Sequence, residues 1–370
     1  MCALLSVPRI GIALGRRLIE RYGRADAFAA LIAGGREVLG VMGERVNAPD
    51  VFAAAWASNG SGQRAFDQTR KLGHRMWLPA DEGWDDVFHD EPSPPLALFA
   101  AGDLSALNRP RVAIVGTRSA TPSGKEFARL LGRELANAGI AVVSGLAFGI
   151  DGSAHAGALA GGAGPDRPSA PIGVVGSGLN VIYPRQHRDL WHRVSAAGLM
   201  LSEYPPGMRP TERSFPARNR LIAALARVVV VVESNVSGGS LQTAECAWAR
   251  GRTVMAVPGN PFHPSCAGSN GLLRNVFADQ QRVVPCIGTA DVLTVLALGH
   301  AIDTSRLDLR PEPSVFQLRL LAELGWDPRS ASHLALALGA TSGEIAEALG
   351  ELELDGWVRR LGGMWQQCPA

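Results

Sequence analysis

A short buried strand, a tight turn and a helix follow one another between residues 111 and 125. The turn contains Gly116, Thr117 and Arg118, and small residues of this kind leave backbone N–H groups facing whatever lies above the turn. The dipole of the following helix makes that position favourable for an anion. The guanidinium of Arg118 can form paired hydrogen bonds with a phosphate. The stretch therefore predicts an anion site.

Two alternative starts are open for this helix. Ser123 and Glu126 have the spacing of a capping box. Thr121 followed by Pro122 offers a start just before it.

Six apolar runs rich in β-branched residues alternate with helical or irregular segments. They are residues 112–115, 141–143, 172–175, 199–201, 228–232 and 253–257. Such alternation is typical of a parallel sheet covered by helices on both faces. We therefore predict an α/β fold for the central region.

Loops of small residues follow these strands. They are residues 116–118, 144–152, 176–178, 203–207, 233–240 and 258–260. In open parallel sheets, ligands bind beyond the carboxyl ends of the strands. The loops together predict a broad crevice, lined by backbone amides, that binds a phosphate or a nucleotide.

Two familiar nucleotide motifs are missing from the first strand, turn and helix. The G-x-G-x-x-G fingerprint is absent after the first strand, which disfavours a dinucleotide oxidoreductase. The stretch ending in Lys125 fails the P-loop pattern, because Ser119 replaces its first glycine and Glu126 follows the lysine. The residues that hold Mg²⁺ for NTP hydrolysis are therefore absent.

Three side chains near the predicted crevice are candidates for catalysis. Asp151 and His155 are four residues apart near a helix start, a spacing that suits a metal pair or an acid–base pair. We favour a structural interpretation, in which Asp151 caps the helix and His155 is a satisfied polar neighbour. Glu245 lies one turn into a later helix. It could polarise a water molecule or hold a ribose, and an ordinary helix glutamate is the alternative.

Two arginine-rich stretches, residues 183–193 and 209–220, follow strands of the same predicted sheet. They contain Arg185, Arg188, Arg193, Arg209, Arg213, Arg218 and Arg220, interleaved with Tyr183, His187, Trp191 and Phe215. Cations that follow a nucleic-acid backbone, with aromatic rings that stack on bases, suit a single strand. Both stretches should share a side with the glycine loops, so we predict that they extend the crevice.

The composition limits the remaining possibilities. The net charge of +2 does not by itself indicate a nucleic-acid binder, and the five cysteines are scattered without a C-x-x-C pair. This cysteine usage fits a reduced cytoplasm and argues against a structural zinc site. No apolar run reaches membrane-spanning length, and arginines interrupt the apolar start of the chain. We therefore predict a cytoplasmic protein with no signal peptide, no membrane partner and no metal.

The region before the sheet has two parts. Residues 1–75 are predicted to form a small helical domain, in which residues 7–11 resemble half of a helix–hairpin–helix with Arg9 at its usual first glycine. We favour a packing or protein-binding role for it over DNA binding. Residues 76–108 are rich in Pro, Asp and Trp, and are predicted to be an irregular connecting segment on the central domain, 109–300.

The region after the sheet begins with a polar linker, residues 301–313. Residues 314–370 then show three helical patterns and a hairpin, at 315–324, 332–338, 341–354 and 357–365. Thr341 and Glu344 make a capping box for the third helix. This arrangement resembles a winged helix. Its third helix is acidic and would repel duplex phosphates, so we favour a protein-contact or autoregulatory role.

Six stretches of the central region carry a family resemblance. They read VAIVGTR (112–118), SGLAFGIDGSAH (144–155), VGSGLNVIYP (175–184), LSEYPPG (201–207), FPARNRLI (215–222) and VPG (257–259). In this order they resemble the DNA-processing protein DprA (Smf) family, whose members often carry a winged helix at the end of the chain.

The resemblance implies an extended Rossmann-like domain that binds single-stranded DNA, forms a homodimer and helps to load RecA recombinase during natural transformation. Members are not known as enzymes, so no catalytic residue and no cofactor are expected. Carried over residue by residue, the DNA and phosphate site comprises Gly116, Thr117, Arg118, Ser144, Gly145, Gly176, Ser177, Gly178, Arg185, Arg218, Asn219, Gly238, Gly239 and Ser240.

The chain departs from the family pattern in three places. Residues 238–244 read GGSLQTA where the family has SGSLITA, so a serine hydroxyl is missing there unless Ser237 substitutes for it. His187 stands where an asparagine is common. After Leu273 the usual Gly-Ala ending is replaced by RNVFADQQ.

Two other functions remain open. Rossmann-like enzymes that cleave nucleoside monophosphates carry a G-G-x-x-T-x-E pattern, and residues 238–245 come close to it. This hypothesis predicts release of ribose phosphate through Glu245. The other hypothesis is a partner-binding scaffold whose crevice senses a regulatory nucleotide.

Overall fold

The computed structural model describes residues 12–33, 61–79, 81–88, 91–92, 94–162, 169–274, 283–296 and 313–368. The chain divides into two compact units, Met1–Gly299 and His300–Ala370. The predicted hairpin at residues 7–11 lies outside the described residues, as does the predicted linker apart from residue 313.

A nine-stranded sheet forms the centre of the first unit within the described ranges, in the order β1-β2-β6-β5-β4-β3-β7-β8-β9. The strands are β1 Arg75–Trp77, β2 Leu98–Gly102, β3 Arg111–Val115, β4 Ala141–Ser144, β5 Ile172–Val174, β6 Leu199–Ser202, β7 Val228–Val231, β8 Thr253–Ala256 and β9 Val283–Pro285. The strands from β6 to β9 in this order are all parallel. Each of the six predicted apolar runs forms a strand, and the predicted parallel sheet is confirmed.

Helices cover both faces of this sheet. They are α1 Ile12–Ala33, α2 Ser61–Lys71, α3 Trp84–Phe88, α4 Pro122–Asn137, α5 Ile150–Ala160, α6 Arg188–Ala197, α7 Ser214–Leu225, α8 Gly239–Trp248, α9 Ala267–Arg274 and α10 Thr289–Val295. Side chains alternate between the faces of a strand. Ala113 and Val115 accordingly pack with residues of α7 and α8, while α5 covers β3 and β4 from the other side. None of the helices described in either unit has the length and hydropathy needed to cross a bilayer.

The segment predicted to be irregular, residues 76–108, instead extends the sheet. Strand β2 pairs antiparallel with β6, and β1 pairs antiparallel with β2, so the boundary predicted after residue 75 falls inside a strand. The prediction was wrong because prolines and acidic residues surround a short apolar run, residues 96–101, whose side chains are all buried. Trp77, Trp84 and Phe88 pack against one another beside it.

Helix α4 begins at the earlier of its two predicted starts. The Thr121 side chain accepts a hydrogen bond from the Gly124 N–H, and Pro122 occupies the first turn. Glu126 does not form the alternative capping box and pairs with Arg129 instead. The start of α4 is therefore fixed directly after the turn that carries Arg118.

The second unit contains three helices and a hairpin in its described part. They are α11 Val315–Leu324, α12 Ala331–Leu338, α13 Ser342–Leu354, β10 Val358–Leu361 and β11 Met364–Gln367. Leu320, Leu334, Leu349 and Trp365 are buried together between them. The predicted capping box of Thr341 and Glu344 is present, as is a second box at Ser314.

Candidate nucleic-acid interface

A pocket opens at the carboxyl edge of the first sheet, where the loops after β3, β4 and β5 meet helix α7. It encloses about 400 Å³, counting its open mouth. It is lined by Arg118, Gly145, Ala147, Phe148, Val175, Gly176, Ser177, Tyr183, Pro184, Pro210, Phe215 and Arg218. Arg118 and Arg218, which come from distant parts of the sequence, therefore share one cleft.

The loop after β4 is held in an unusual conformation. Leu146 has a φ of 56°, in the left-handed region that side chains other than glycine rarely adopt. Gly149 has a φ of 75°, and a Cβ there would lie 2.2 Å from the Thr117 carbonyl oxygen. The ring of His187 contacts the Leu146 carbonyl oxygen at 3.0 Å. This loop is therefore pressed against the turn after β3 and positions Phe148 at the pocket.

Arg218 lines the pocket, and its charge and that of Asp151, which is buried near it, influence each other. Arg218 is 6% exposed, and its Nη1 donates to the Val174 carbonyl at 2.6 Å. Burial raises the pKa of the Asp151 carboxyl, and the Arg218 guanidinium opposes that rise. Burial lowers the pKa of Arg218 in turn, and Asp151 opposes it. A Cβ at Gly145 would lie 1.7 Å from Arg218 Nη1, so any other residue there would displace the guanidinium.

Asp151 does not cap helix α5, so that prediction was wrong. The residue before the helix is Gly149, and no side chain caps it. The Asp151 carboxylate instead accepts a hydrogen bond from the Gly145 N–H at 3.1 Å. It lies within the first turn of the helix and reaches back to the loop that precedes it.

His155 is fully buried on the same helix, and the prediction that its polar atoms are satisfied was also wrong. Neither ring nitrogen has a hydrogen-bond partner among the described residues. Burial lowers the pKa of His155 to about 4, and the nearby Ser144 backbone opposes this shift only in part. The ring is therefore neutral at neutral pH. Within the described ranges, no group of three or more His, Cys, Asp or Glu side chains could hold a metal ion.

We expect His155 to make the protein less stable in acid. Its folded pKa of about 4 lies below the ordinary value of 6.5, so the unfolded chain gains a proton that the folded chain does not. The loss begins below pH 6.5 and, integrated from pH 7 to pH 5, amounts to about 2 kcal/mol. Urea unfolding of the wild type and of His155→Leu at both pH values measures it. Equal losses in the two proteins would contradict the assignment.

Arg118 is exposed and lies over the ring of Phe215, with its guanidinium carbon 4.8 Å from the ring centre. The Tyr183 and Phe215 rings are 5.6 Å apart. Phe148 meets His187 edge to face at 4.9 Å. The pocket thus combines an accessible cation with three aromatic rings.

Several predicted site residues are engaged within the protein. The hydroxyls of Ser144, Ser177 and Ser240 donate to the Ile114 carbonyl, the Val181 carbonyl and the Ser234 hydroxyl. The amides of Thr117, Gly145 and Gly178 donate to Glu233, Asp151 and Met208. Gly145 and Ser177 line the pocket, and the other four residues do not. Because these groups are bonded within the protein, the expected cradle of free amides is smaller than the sequence suggested.

The other predicted residues lie around the pocket without lining it. A Cβ at Gly116 would lie 2.5 Å from Ile150 Cγ1, which explains the glycine by close packing. Arg185 is exposed and directly follows Pro184, which lines the pocket. The Asn219 side chain donates to the Gly239 carbonyl at 3.2 Å and so links α7 to the start of α8. Gly238 is the residue before α8, where no side chain forms a cap.

The sequence did not predict the roles of Phe148 and Glu233. Phe148 lines the pocket, although nothing singled it out except an aromatic residue within a loop of small ones. Glu233 is buried just after β7, and its carboxylate accepts hydrogen bonds from the backbone N–H and the hydroxyl of Thr121.

Arg220, predicted to extend the crevice, pairs with Glu203. Glu245 is exposed on α8 and does not line the pocket.

The model of the family described as DNA recombination-mediator protein A matches residues 75–285, more than half of the chain. The chain belongs to this family. A second model, the DprA winged helix domain, matches residues 309–364. The extended Rossmann-like fold and the winged helix inferred from the sequence are therefore confirmed.

Similar proteins support this assignment. A putative DNA processing protein DprA of Mycobacterium tuberculosis is 35% identical over 274 residues, which are 74% of this chain and 68% of that protein. The DNA processing protein DprA of Bacillus subtilis is 40% identical over 182 residues, 49% of this chain and 59% of that protein.

Two solved structures of family members are also similar. DprA from Streptococcus pneumoniae superposes with a TM-score of 0.65 and 28% identity, covering 78% of this chain and 95% of that one. DNA processing protein A from Helicobacter pylori, whose structure concerns a unique single-stranded DNA binding mode, superposes with a TM-score of 0.52 and 30% identity. It covers 60% of this chain and 95% of that one.

Proposed function

We propose that this protein is a non-enzymatic, cytoplasmic binder of single-stranded DNA that acts in DNA uptake and recombination. The observation that carries the proposal is the exposed Arg118 lying over Phe215 in a pocket that also holds Phe148 and Tyr183. Aromatic rings stack on unpaired bases of any sequence, and a guanidinium holds the adjoining phosphate. In duplex DNA the bases are paired and stacked, so such a pocket favours a single strand.

The electrostatics of the pocket support an anionic ligand. The charge of the buried Arg218 is opposed by Asp151, whereas Arg118 and Arg185 are exposed at the rim. Two accessible guanidiniums at the mouth attract a phosphate backbone. The Helicobacter pylori relative, which has a single-stranded DNA binding mode, agrees with this proposal.

Two partners belong to the same proposal. The family resemblance implies a homodimer and a role in loading RecA recombinase onto incoming single strands during natural transformation. Light scattering of the purified protein tests the first. The rate at which RecA assembles on a coated single strand, with and without this protein, tests the second.

One pair of assays on the same sample tests the proposal against its main alternative. Fluorescence anisotropy of a labelled oligothymidylate measures single-strand binding, and release of ribose phosphate from nucleoside monophosphates measures hydrolysis. We expect binding and no hydrolysis. Hydrolysis abolished by Glu245→Gln, without oligonucleotide binding, would replace the proposal with the hydrolase.

We also predict that the winged helix contributes little affinity for duplex DNA. Glu347 and Glu353 place negative charge on α13, the third helix of the unit, and would repel phosphates. Wild-type protein should bind a duplex oligonucleotide far more weakly than a single strand. Replacing both residues with lysine should strengthen duplex binding several-fold at low salt, as measured by anisotropy.

The matched control for this prediction is Glu20→Lys together with Glu82→Lys, which makes the same change in charge at two exposed positions of the first unit. Tight duplex binding by the wild type, lost when Arg359 and Arg360 of the hairpin are changed to alanine, would instead assign a duplex contact to the wing.

A further inference from the structure

An exposed aromatic side chain lies on the far side of Arg118 from the pocket. Phe262 follows β8 at the carboxyl edge of the sheet and is 94% exposed. In the sheet order, the pocket strands β5 and β4 lie on one side of β3, while β7 and β8 lie on the other. Arg118 follows β3 and therefore comes between the pocket and the Phe262 loop along this edge.

The loop that carries Phe262 is braced by side chains. The Asn260 Oδ1 accepts a hydrogen bond from the Phe262 N–H at 2.9 Å. The Asn270 side chain both donates to and accepts from the backbone of Gly259, at 3.0 Å in each case. The His263 Nδ1 accepts from the Ser265 N–H at 3.3 Å. These bonds fix the backbone from which the exposed ring projects, which lowers the entropy lost when a ligand stacks on it.

One hydrogen bond joins this loop to the turn that carries Arg118. The Ser265 hydroxyl donates to the Ser119 carbonyl at 3.3 Å, across 146 residues of sequence. Val236 is 75% exposed on the loop after β7, the strand that lies between β3 and β8 in the sheet. The edge from Arg118 to Phe262 is therefore continuous and presents apolar surface.

We propose that Phe262 is a second base-stacking site, so that a bound single strand continues from the aromatic pocket past Arg118 to the loop after β8. The inference rests on the proposed function and adds a direction and a length to it. A nucleobase suits the position better than an apolar peptide does, for two reasons. The neighbouring Arg118 can hold the phosphate of a nucleotide, and Phe262 presents one exposed ring, whereas a peptide would need a groove.

The sheet geometry sets the length of strand required. Neighbouring strands are about 4.8 Å apart, so four spacings separate β5 from β8 by about 19 Å. At a stacked rise of about 3.4 Å this distance corresponds to roughly six nucleotides. A strand shorter than that fills the pocket without reaching Phe262.

The test compares Phe262→Ala with the wild type on oligothymidylates of about three and about twelve nucleotides, by competition anisotropy. We expect the long strand to bind about fivefold to a hundredfold more weakly to the variant, the range measured when a stacking aromatic is replaced by alanine. The short strand should bind both proteins equally. Phe262→Trp should restore long-strand affinity, and Phe66→Ala on α2 is the control for loss of a phenylalanine elsewhere.

Each outcome separates this proposal from the one it rests on. Equal binding of the long strand to wild type and Phe262→Ala would overturn the second site and leave the pocket intact. Equal weakening of both lengths would show a general defect and would also overturn it. If the wild type binds neither strand, the proposed function itself fails, and the second site with it.

Discussion

Arg118→Glu is expected to weaken single-strand binding by about a hundredfold while the protein stays folded. A hydrogen bond to a charged group contributes about 1.5–3 kcal/mol, and the introduced carboxylate adds repulsion of the phosphate, so a loss near 3 kcal/mol is reasonable. Arg118 is exposed, so its replacement opens no cavity. Anisotropy at several salt concentrations measures the affinity and the number of phosphate contacts, and the slope against salt should fall.

The matched control is Arg227→Glu, which makes the same charge change at the opposite edge of the same sheet. Arg227 is exposed directly before β7, at the amino end of the parallel strands. Its substitution should reduce affinity only slightly, through net charge. If both variants weaken binding equally, the attraction is general and the pocket is not the site.

Arg218→Met is expected to destabilise the protein by about 3 kcal/mol, because it leaves a buried charge without the opposite charge that offsets its burial. The methionine would leave the buried Asp151 carboxylate without the guanidinium that offsets its burial. Thermal and urea unfolding measure the loss. Arg185→Met, at an exposed arginine near the pocket, should change stability by less than about 0.5 kcal/mol.

A second substitution makes the Arg218 prediction sharper. Asp151→Asn in the Arg218→Met background removes the buried carboxylate charge that Arg218 no longer compensates. The double variant should therefore be more stable than Arg218→Met alone. The asparagine oxygen can still accept from Gly145. If Arg218→Met unfolds like the wild type, Arg218 is not the partner of Asp151, and the buried wall of the pocket needs another explanation.

The parallel sheet was predictable because its strands are continuous apolar runs, and burial on both faces requires such runs whatever surrounds them. Capping is a local interaction, so the sequence limited the start of α4 to two alternatives, and the structure uses the one at Thr121 and Pro122. Strand β2 was missed because it joins the sheet by pairing with β6, about a hundred residues later in the sequence. The local composition around residues 96–101 does not indicate that β6 will pair with them.

The candidate site was predictable in position and less so in chemistry. The glycine loops correctly located the cleft at the carboxyl edge of the sheet. The sequence could not reveal that the amides of Gly145 and Gly178 are used internally, because their acceptors, Asp151 and Met208, are set by the tertiary fold. In the proposed site, Arg118 and the aromatic rings therefore have a larger expected share of the ligand contacts than the motifs suggested.

The two outermost strands of the described sheet have a consequence for self-association. Strands β1 and β9 are each three residues long, and β9 ends in Pro285, which cannot donate a backbone hydrogen bond. Short edge strands, and a proline at the end of one, resist docking of a foreign strand. A second copy of this chain would therefore have to join through side-chain surfaces rather than by lengthening the sheet, and such a joint can separate without breaking any backbone ladder.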